Sequence, residues 1–376
     1  MQIPSELVSL ILADLYYKNA QSPFSTPDYS TLSACSLVSS LWTVPSQTLL
    51  FRHITLEVAR AFGRYVDGPS RNQALLSHVR VLSVSLSFGD RSDEQDPVHF
   101  PVSTLVAILG CCPKLYELII RARKLFSLDS ASKSELADVV RNAPLCIRSL
   151  RMLECGVQSP ILYEFVALFP DLQFLTIGVE ITASPPPWMP AFQLYELKLY
   201  RTLSSEVLTW LLSASRTTLR ILELRDMPGM HTQTDLAICC SGIQSLRLMR
   251  YNSHAAAILT QCTNLLELVL LNVPAFVSIP DLPPSLEHIA VLIQTYTASV
   301  DLQPLIAALD VLPRLRILTF MGDPQIQQLP QLKAICLTKN VALYTPRHKF
   351  WINDDPVVAT SFPRRRRSTS NFYLMN

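Results

Sequence analysis

The feature that most constrains the fold is a short pattern that returns along most of the chain: an apolar residue, two others, a leucine, one other and an apolar residue. Between residues 172 and 286 its starts are 22, 25, 24, 22 and 21 residues apart. The units are VRVLSV from Val79, LYELII from Leu115, IRSLRM from Ile147, LQFLTI from Leu172, LYELKL from Leu194, LRILEL from Leu219, IQSLRL from Ile243, LLELVL from Leu265, LEHIAV from Leu286, LRILTF from Leu315 and, with a poorer match, LKAICL from Leu332. A fixed period of this size is typical of a solenoid, in which each repeat buries its apolar side only by stacking on its neighbours.

Each repeat is predicted to be a short strand preceded by a helix. The Leu-x-Leu core alternates as a half-buried strand does, and runs such as STLVAILGCCPKL and LIAALDVLPRL precede several strands with a proline where the helix must end. The leucines at 118, 150, 175, 197, 222, 246 and 268 should therefore stack in one row under a parallel sheet. The alternative is a doubly wound α/β sheet. The pattern disfavours it, because the chain has only nine glycines and no GxGxxG or GxxxxGK[ST] loop.

Composition and charge exclude several classes of protein. Of the 376 residues, 49% are hydrophobic and 16% are charged, so the chain is not intrinsically disordered throughout. Four of the 32 basic residues lie in one run, which leaves the rest near neutrality, and we expect no nucleic-acid binding. No segment reaches about 18 uninterrupted apolar residues, and no basic residues precede the first apolar run, so neither a membrane span nor a signal peptide is expected. Nine cysteines without a disulfide-scaffold spacing suit a reducing compartment, the cytoplasm and/or the nucleus.

The first fifty residues do not share the repeat. IPSELVSLILADL, from Ile3, should form a helix, with Pro4 and Glu6 favouring its start. It carries two apolar stripes, one with Leu7, Leu10 and Ile11, the other with Val8, Ile11, Leu12 and Leu15. A surface helix needs only one such stripe, so the second calls for a separate partner.

Two more short helices are expected before the repeats begin. TLSACSLVSSLW forms a second helical run with Leu32, Cys35, Val38 and Trp42 on one face, and Pro45 opens a third. FRHITL, from Phe51, alternates like a strand. Three short helices bury too little surface to be stable alone. We therefore expect them to pack on the repeats on one side and on a separate helical protein on the other.

These residues resemble a known motif. Ile3-Pro4-x-Glu6-Leu7, Ile11-Leu12 with Leu15, Leu32, Val38, Trp42 and Leu50-Phe51 resemble an F-box, and the repeats resemble irregular leucine-rich repeats. The resemblance implies an α/β protein with an F-box-like helical domain at 1–56, a solenoid at 57–350 and a tail at 351–376. It also implies a eukaryotic, intracellular role as substrate receptor of an SCF-type ubiquitin ligase. A Skp-family adaptor, bound to the cullin and RING ligase, would dock on the helices, and the repeats would select a protein substrate for ubiquitin-dependent degradation. The adaptor-binding residues carried over by the resemblance are Ile3, Pro4, Glu6, Leu7, Ile11, Leu12, Leu32, Val38 and Trp42.

The alternative function is that of a repeat scaffold, which binds a partner without a ligase and whose first helices serve only as a cap.

No arrangement of residues indicates an enzyme. The seven histidines are scattered, and none pairs with a cysteine or histidine at metal-ligand spacing. Cys111-Cys112 and Cys239-Cys240 are adjacent pairs, which favours buried structural thiols. The GxSxG elbow of many hydrolases is absent. We therefore expect no catalysis, no cofactor and no metal.

Three smaller signals remain open. SPPPWMP, from Ser184, indicates a stiff polyproline connector or, through Trp188, an anchor for a partner. DRSDEQD, from Asp90, indicates a solvated loop. The run Arg364, Arg365, Arg366 and Arg367 belongs either to a solubilising tail that folding does not need or to a nuclear-import signal.

Overall fold

The computed structural model describes residues 4–16, 27–55, 71–86, 102–271, 282–292 and 301–345, apart from positions 124, 144, 146 and 324. They fall into unit 1, within Met1–Gln173, and unit 2, within Phe174–Trp351. The fold class is α/β, with twelve strands and twelve α-helices in these described residues. The strands follow one another in the order of the chain, and the pairings are parallel.

Unit 1 begins with helices and continues with the first strands of the sheet. Its helices are α1 (Ser5–Asp14), α2 (Tyr29–Ser36), α3 (Ser40–Leu50), α4 (Arg71–Leu76), α5 (Val102–Cys111), α6 (Ser130–Asn142) and α7 (Ile161–Leu168). Its strands are β1 (His53–Thr55), β2 (Val81–Ser85), β3 (Glu117–Ala122) and β4 (Ser149–Cys155). The strand predicted in FRHITL is confirmed as β1, so the sheet starts three residues before the predicted domain boundary at 56.

Unit 2 contains the more regular repeats. Its strands are β5 (Phe174–Ile177), β6 (Glu196–Leu199), β7 (Ile221–Leu224), β8 (Ser245–Leu248), β9 (Glu267–Leu271), β10 (His288–Leu292), β11 (Ile317–Met321) and β12 (Ala342–Tyr344). Its helices are α8 (Ser205–Leu212), α9 (Met230–Leu236), α10 (Ser253–Gln261), α11 (Gln303–Val311) and α12 (Leu329–Thr338).

The central leucine of each repeat forms a row across neighbouring strands, as predicted. In unit 1 the row pairs Ile54, Leu82, Leu118 and Leu150; in unit 2 it pairs Leu175, Leu197, Leu222, Leu246, Leu268, Ile289, Leu318 and Leu343. From Leu82 to Leu318 these side chains have no solvent exposure. We call this side of each sheet the leucine face. Because side chains alternate along a strand, the residues before and after each central leucine lie on the opposite side, the second face.

A recurring hydrogen-bonded turn precedes strands of the sheet. The first apolar residue of a repeat donates its N–H to the carbonyl three residues earlier, as Leu115 does to Cys112 (3.1 Å) and Leu265 to Cys262 (3.1 Å). The two following N–H groups then share one carbonyl of the preceding repeat; those of Leu266 and Glu267 both donate to Gln244. The turn thus sets the register of each new strand on the previous one.

The structure corrects two sequence predictions. TLSACSLVSSLW is not one helix: α2 ends at Ser36 and Trp42 belongs to α3, which runs through Pro45 instead of starting there. The Thr43 hydroxyl, 2.9 Å from the Ser36 carbonyl, satisfies the end of α2 while Ser39 is extended. LKAICL is not a strand either. Leu332 lies inside α12, because its buried partners recur at helical spacing, and the strand of that repeat is β12.

The leucine row should dominate the stability of the repeats. Leu222→Ala removes a fully buried side chain from the row and should lower the free energy of unfolding by about 2–5 kcal/mol. The matched control is Leu337→Ala on α12, where the leucine is 84% exposed and the expected change is within about 0.5 kcal/mol. Urea unfolding followed by circular dichroism measures both; equal effects would contradict a core built on the row.

Candidate functional site

The first three helices pack around a small apolar core of their own. It consists of five buried side chains, those of Val8, Leu12, Tyr16, Leu32 and Leu49. Trp42 packs against this core and is half-buried. The cluster therefore uses one side of each helix internally, and the other side is available to a neighbour.

Backbone and capping hydrogen bonds fix the ends of these helices. The Pro4 carbonyl accepts from the N–H groups of Leu7 (3.1 Å) and Val8 (3.2 Å), so Pro4 is the N-cap of α1 and not its first helical residue. Asp28 caps α2, because its carboxylate accepts from the Thr31 N–H (3.1 Å) and hydroxyl (2.8 Å). Tyr29 donates its hydroxyl to the His53 carbonyl at 2.7 Å, which ties α2 to β1.

The three helices and the turns that follow them also carry exposed apolar side chains. Eight aliphatic residues there are 39–84% exposed: Leu7, Leu10, Ile11, Leu15, Leu37, Val38, Leu41 and Val44. We call them the helical apolar surface. Residues 4–16 and 27–50 contain no lysine or arginine, and Glu6 is the acidic residue in the first turn of α1. Exposed apolar patches of several hundred Å² mark interaction sites in soluble proteins, and this one offers its partner almost no charge.

The structure separates the residues predicted to bind an adaptor into two groups. Pro4, Glu6, Leu7, Ile11 and Val38 are exposed, and the last three belong to the helical apolar surface. Leu12 and Leu32 are fully buried and belong to the internal core, while Trp42 is half-buried beside it. Ile3 lies outside the described residues. The first predicted stripe (Leu7, Leu10 and Ile11) is exposed. The second predicted stripe is split, because Val8 and Leu12 are buried whereas Ile11 and Leu15 are 42% and 39% exposed.

A second candidate site is a row of charged and polar side chains, most of them buried, on the second face of unit 2. Glu223 contacts Arg225 at 2.7 Å, Arg247 at 3.6 Å and Lys198 at 3.9 Å. Arg247 also lies 3.8 Å from Glu267. The row extends on both sides: Lys198 lies 3.2 Å from Glu196, and His288 lies 3.5 Å from Glu267 and 3.1 Å from the Thr319 hydroxyl. From β6 to β9, Lys198, Glu223, Arg247 and Glu267 therefore alternate in sign from strand to strand.

Glu223 is the centre of this row and is almost fully buried, at 2% exposure. Burial is the largest single influence on its pKa and acts to raise it, but Lys198, Arg225 and Arg247 together outweigh burial and hold the pKa below its ordinary value. Glu223 is therefore ionised at neutral pH. Arg225 also lies 3.4 Å from the centre of the Tyr200 ring, which orients its guanidinium.

These charged residues were not predicted from the sequence, although their positions within the repeats could have indicated them. Glu196, Glu267 and His288 directly precede the central residue of their repeats, and Lys198, Glu223 and Arg247 directly follow it. In a parallel in-register sheet these positions become neighbours on one face. Aligning the repeats on their central leucines would therefore have shown the row.

The cysteines predicted to be structural are mostly buried. Cys112, Cys239 and Cys240 are at most 1% exposed, whereas Cys111 is half-buried. Burial raises the pKa of Cys112 and that of Cys239 to about 12, so both remain protonated thiols at neutral pH. Among the described residues no three His, Cys, Asp or Glu side chains come together as metal ligands. None of the described helices is both long and apolar enough to cross a membrane.

The proline-rich segment SPPPWMP connects β5 to β6, where residues 178–195 contain no helix. Trp188 packs edge-on against Trp210 of α8 at a centroid distance of 5.0 Å, and the Trp210 Nε1–H donates to the Trp188 carbonyl at 2.8 Å. These contacts favour the connector interpretation. Trp188 is nevertheless 39% exposed and Met189 67% exposed. The predicted loop 90–96 and the run Arg364–Arg367 lie outside the described residues.

No protein-family model matches this chain, and a comparison with curated proteins finds no match. Functional assignment therefore depends on the residues and their geometry.

The charged row should make stability depend on pH. Glu223→Gln leaves three cations around a neutral amide and should destabilise the protein by about 3 kcal/mol at pH 7. Because the folded-state pKa of Glu223 lies below its ordinary value of 4.5, its contribution is complete above that pH and is lost as the pH falls through the folded-state pKa. The difference between wild type and variant should thus shrink below about pH 4.5. Glu180→Gln, at an exposed site, is the control. Urea unfolding from pH 3 to 7 measures the effect, and a difference that grows on acidification would contradict it.

Proposed function

We propose that the protein is the substrate-recognition subunit of an SCF-type ubiquitin ligase. In this proposal α1–α3 form an F-box that docks a Skp-family adaptor, and the repeats form a leucine-rich-repeat solenoid that binds a protein substrate. The protein itself catalyses nothing. It acts in the cytoplasm or nucleus by holding the substrate near the ubiquitin carrier, where proximity raises the effective concentration of the reacting groups.

The observation that carries the proposal is the helical apolar surface. Three short helices have a buried core of their own, yet they leave eight aliphatic side chains exposed. Leaving so many apolar residues in water is unfavourable unless a partner covers them. Pro4, Glu6 and Leu7 occupy the start of the first helix as in the F-box motif, and the helices lead directly into a sheet of repeats.

The partner of this surface is expected to be apolar where it makes contact. The helical apolar surface has no lysine or arginine, so charge attraction contributes little to its binding. Affinity must come from burial of Leu7, Ile11, Leu37, Val38 and their neighbours, at about 25 cal/mol per Å² before the costs of association are subtracted.

The alternative is a scaffold in which α1–α3 serve only to cap the repeats. The hydrogen bond from Tyr29 to the His53 carbonyl favours it, because this bond joins α2 to the first strand of the sheet. In that case the exposed side chains bind no adaptor. The two functions are separated by adaptor binding in a purified two-component assay.

Leu7→Asp tests the ligase function. Leu7 is half exposed, so the folded cluster should tolerate aspartate, but a docked adaptor would bury that carboxylate without a partner. We expect loss of a Skp-type adaptor from co-purification, and Leu7→Ala should weaken binding by about thirtyfold, or about 2 kcal/mol.

The matched control is Leu337→Asp, at an 84% exposed leucine in unit 2, which should bind the adaptor like the wild type. Circular dichroism and thermal melting should be unchanged in both aspartate variants. Wild-type protein that binds no adaptor would refute the ligase function and leave the scaffold.

A further inference from the structure

Two buried cysteines lie at equivalent positions of neighbouring repeats in unit 2. The Cys240 carbonyl accepts from the N–H of Ile243 at 3.1 Å, and the Cys262 carbonyl accepts from the N–H of Leu265 at 3.1 Å in the same kind of turn. Cys262 follows Cys240 by 22 residues, which is one repeat. Cys240 is 1% exposed and Cys262 has no exposure. The fold thus places two thiols side by side at the same point of two stacked repeats.

The register of the strands sets the distance between these two residues. Cys240 lies five residues before Ser245, Cys262 lies five residues before Glu267, and Ser245 pairs with Glu267. Because neighbouring strands are about 4.8 Å apart, we expect the two Cα atoms to be about 5 Å apart. A disulfide requires roughly 4.4–6.8 Å between its Cα atoms. The spacing of the repeats therefore suits a covalent bond between the two sulfurs.

Two contacts show that the turns meet. The Asn264 side chain of one turn donates from Nδ2 to the Ser241 carbonyl of the other at 2.9 Å. The Cys262 thiol is hydrogen-bonded to the Cys240 sulfur. Cys239, the residue before Cys240, instead donates its thiol to a backbone carbonyl of its own repeat at 3.2 Å. The contacts therefore pair Cys262 with Cys240 and not with Cys239.

The hydrogen bond makes the two thiols unequal. It lowers the pKa of Cys240, whose sulfur accepts the Cys262 S–H, although burial acts in the opposite direction. The same hydrogen bond, together with burial, raises the pKa of Cys262. Cys240 is therefore the first of the pair to ionise and the better nucleophile, and Cys262 stays protonated beside it.

The position of the pair in the repeats gives a small reagent access to it. Both cysteines lie where a helix or helical turn passes into a strand, and Ser241, Thr263 and Asn264 beside them are exposed. Surface turns open locally at a lower free energy than core strands do. An oxidant as small as hydrogen peroxide can therefore reach the sulfurs while the sheet remains folded.

We propose that Cys240 and Cys262 form a reversible disulfide on exposure to hydrogen peroxide. The Cys240 thiolate attacks one peroxide oxygen, the O–O bond breaks, and the hydroxide that leaves takes up the proton lost by Cys240, which becomes a sulfenic acid. The Cys262 sulfur then attacks the Cys240 sulfur and displaces hydroxide, which leaves as water with the Cys262 proton. In total the two thiols lose two hydrogen atoms and the peroxide is reduced to two waters.

The disulfide fastens the repeat of β8 to the repeat of β9. These strands carry Arg247 and Glu267 of the charged row, so the cross-link holds the two repeats together where their buried charges meet. It also closes a loop in the unfolded chain and so favours the folded state. A small thiol reverses it by exchange. The cross-link forms whether or not α1–α3 bind an adaptor.

Oxidation of the full-length protein tests the proposal. The native protein is treated with hydrogen peroxide, the remaining thiols are blocked with N-ethylmaleimide in denaturant, and its peptides are analysed by mass spectrometry without reduction. The Cys240–Cys262 cross-link should exceed every other cysteine pair by about tenfold, because proximity raises the effective concentration of the second thiol. Dithiothreitol should reverse it. Native protein in which both thiols stay reduced, or in which Cys240 joins another cysteine, would overturn the proposal.

Two variants separate the pair from its neighbour. Cys262→Ser removes the second sulfur and should leave Cys240 as a sulfenic acid that dimedone labels. The matched control is Cys239→Ser, which keeps a hydroxyl for the Leu236 carbonyl and should form the cross-link like the wild type. Peroxide should raise the urea midpoint of the wild type and of Cys239→Ser, but not that of Cys262→Ser. Loss of the cross-link in Cys239→Ser would contradict the pairing, and the wild-type peptides decide the outcome if Cys262→Ser does not fold.

Discussion

The in-register row of central leucines is the constraint on which the rest of each unit depends. Every described strand places one apolar residue in the row, and most of these have no solvent exposure. Because strand side chains alternate with a period of two, a slip of one residue would turn the whole leucine face outward. The row of central leucines therefore also determines which side chains lie on the second face. Glu223, Arg247 and Glu267 meet on the second face because Leu222, Leu246 and Leu268 meet on the first.

The two candidate sites differ in chemistry and in exposure. The helical apolar surface is uncharged and exposed, and Val8, Leu12 and Leu32 belong to the buried core of the same three helices. The second face of unit 2 carries a compensated row of charges beside a small apolar cluster, and both are buried.

Much of this arrangement could be predicted from the sequence. The repeat pattern has a period of two within each strand and recurs often, so strand positions and the leucine row were predictable from Leu115 to Leu315.

Some helix boundaries could not be predicted, because side-chain hydrogen bonds and packing compete with the local sequence pattern there. The break between α2 and α3 depends on a hydroxyl of Thr43, and the helix at Leu332 on an apolar spacing that also resembles the repeat. The two stripes of α1 were visible, but which one faces inward depends on tertiary packing, which placed Leu12 inside and Leu7 outside.

Hydrogen–deuterium exchange of the full chain, with and without a purified Skp-type adaptor, tests the central claim most directly. The account predicts slower exchange in peptides from α1 and from α2–α3 when the adaptor is present, by about tenfold or more for amides that open locally. Peptides from β9 and β10 should exchange at unchanged rates. Unchanged exchange in α1–α3 at saturating adaptor, or protection confined to the repeats, would contradict the claim that these helices are the docking site.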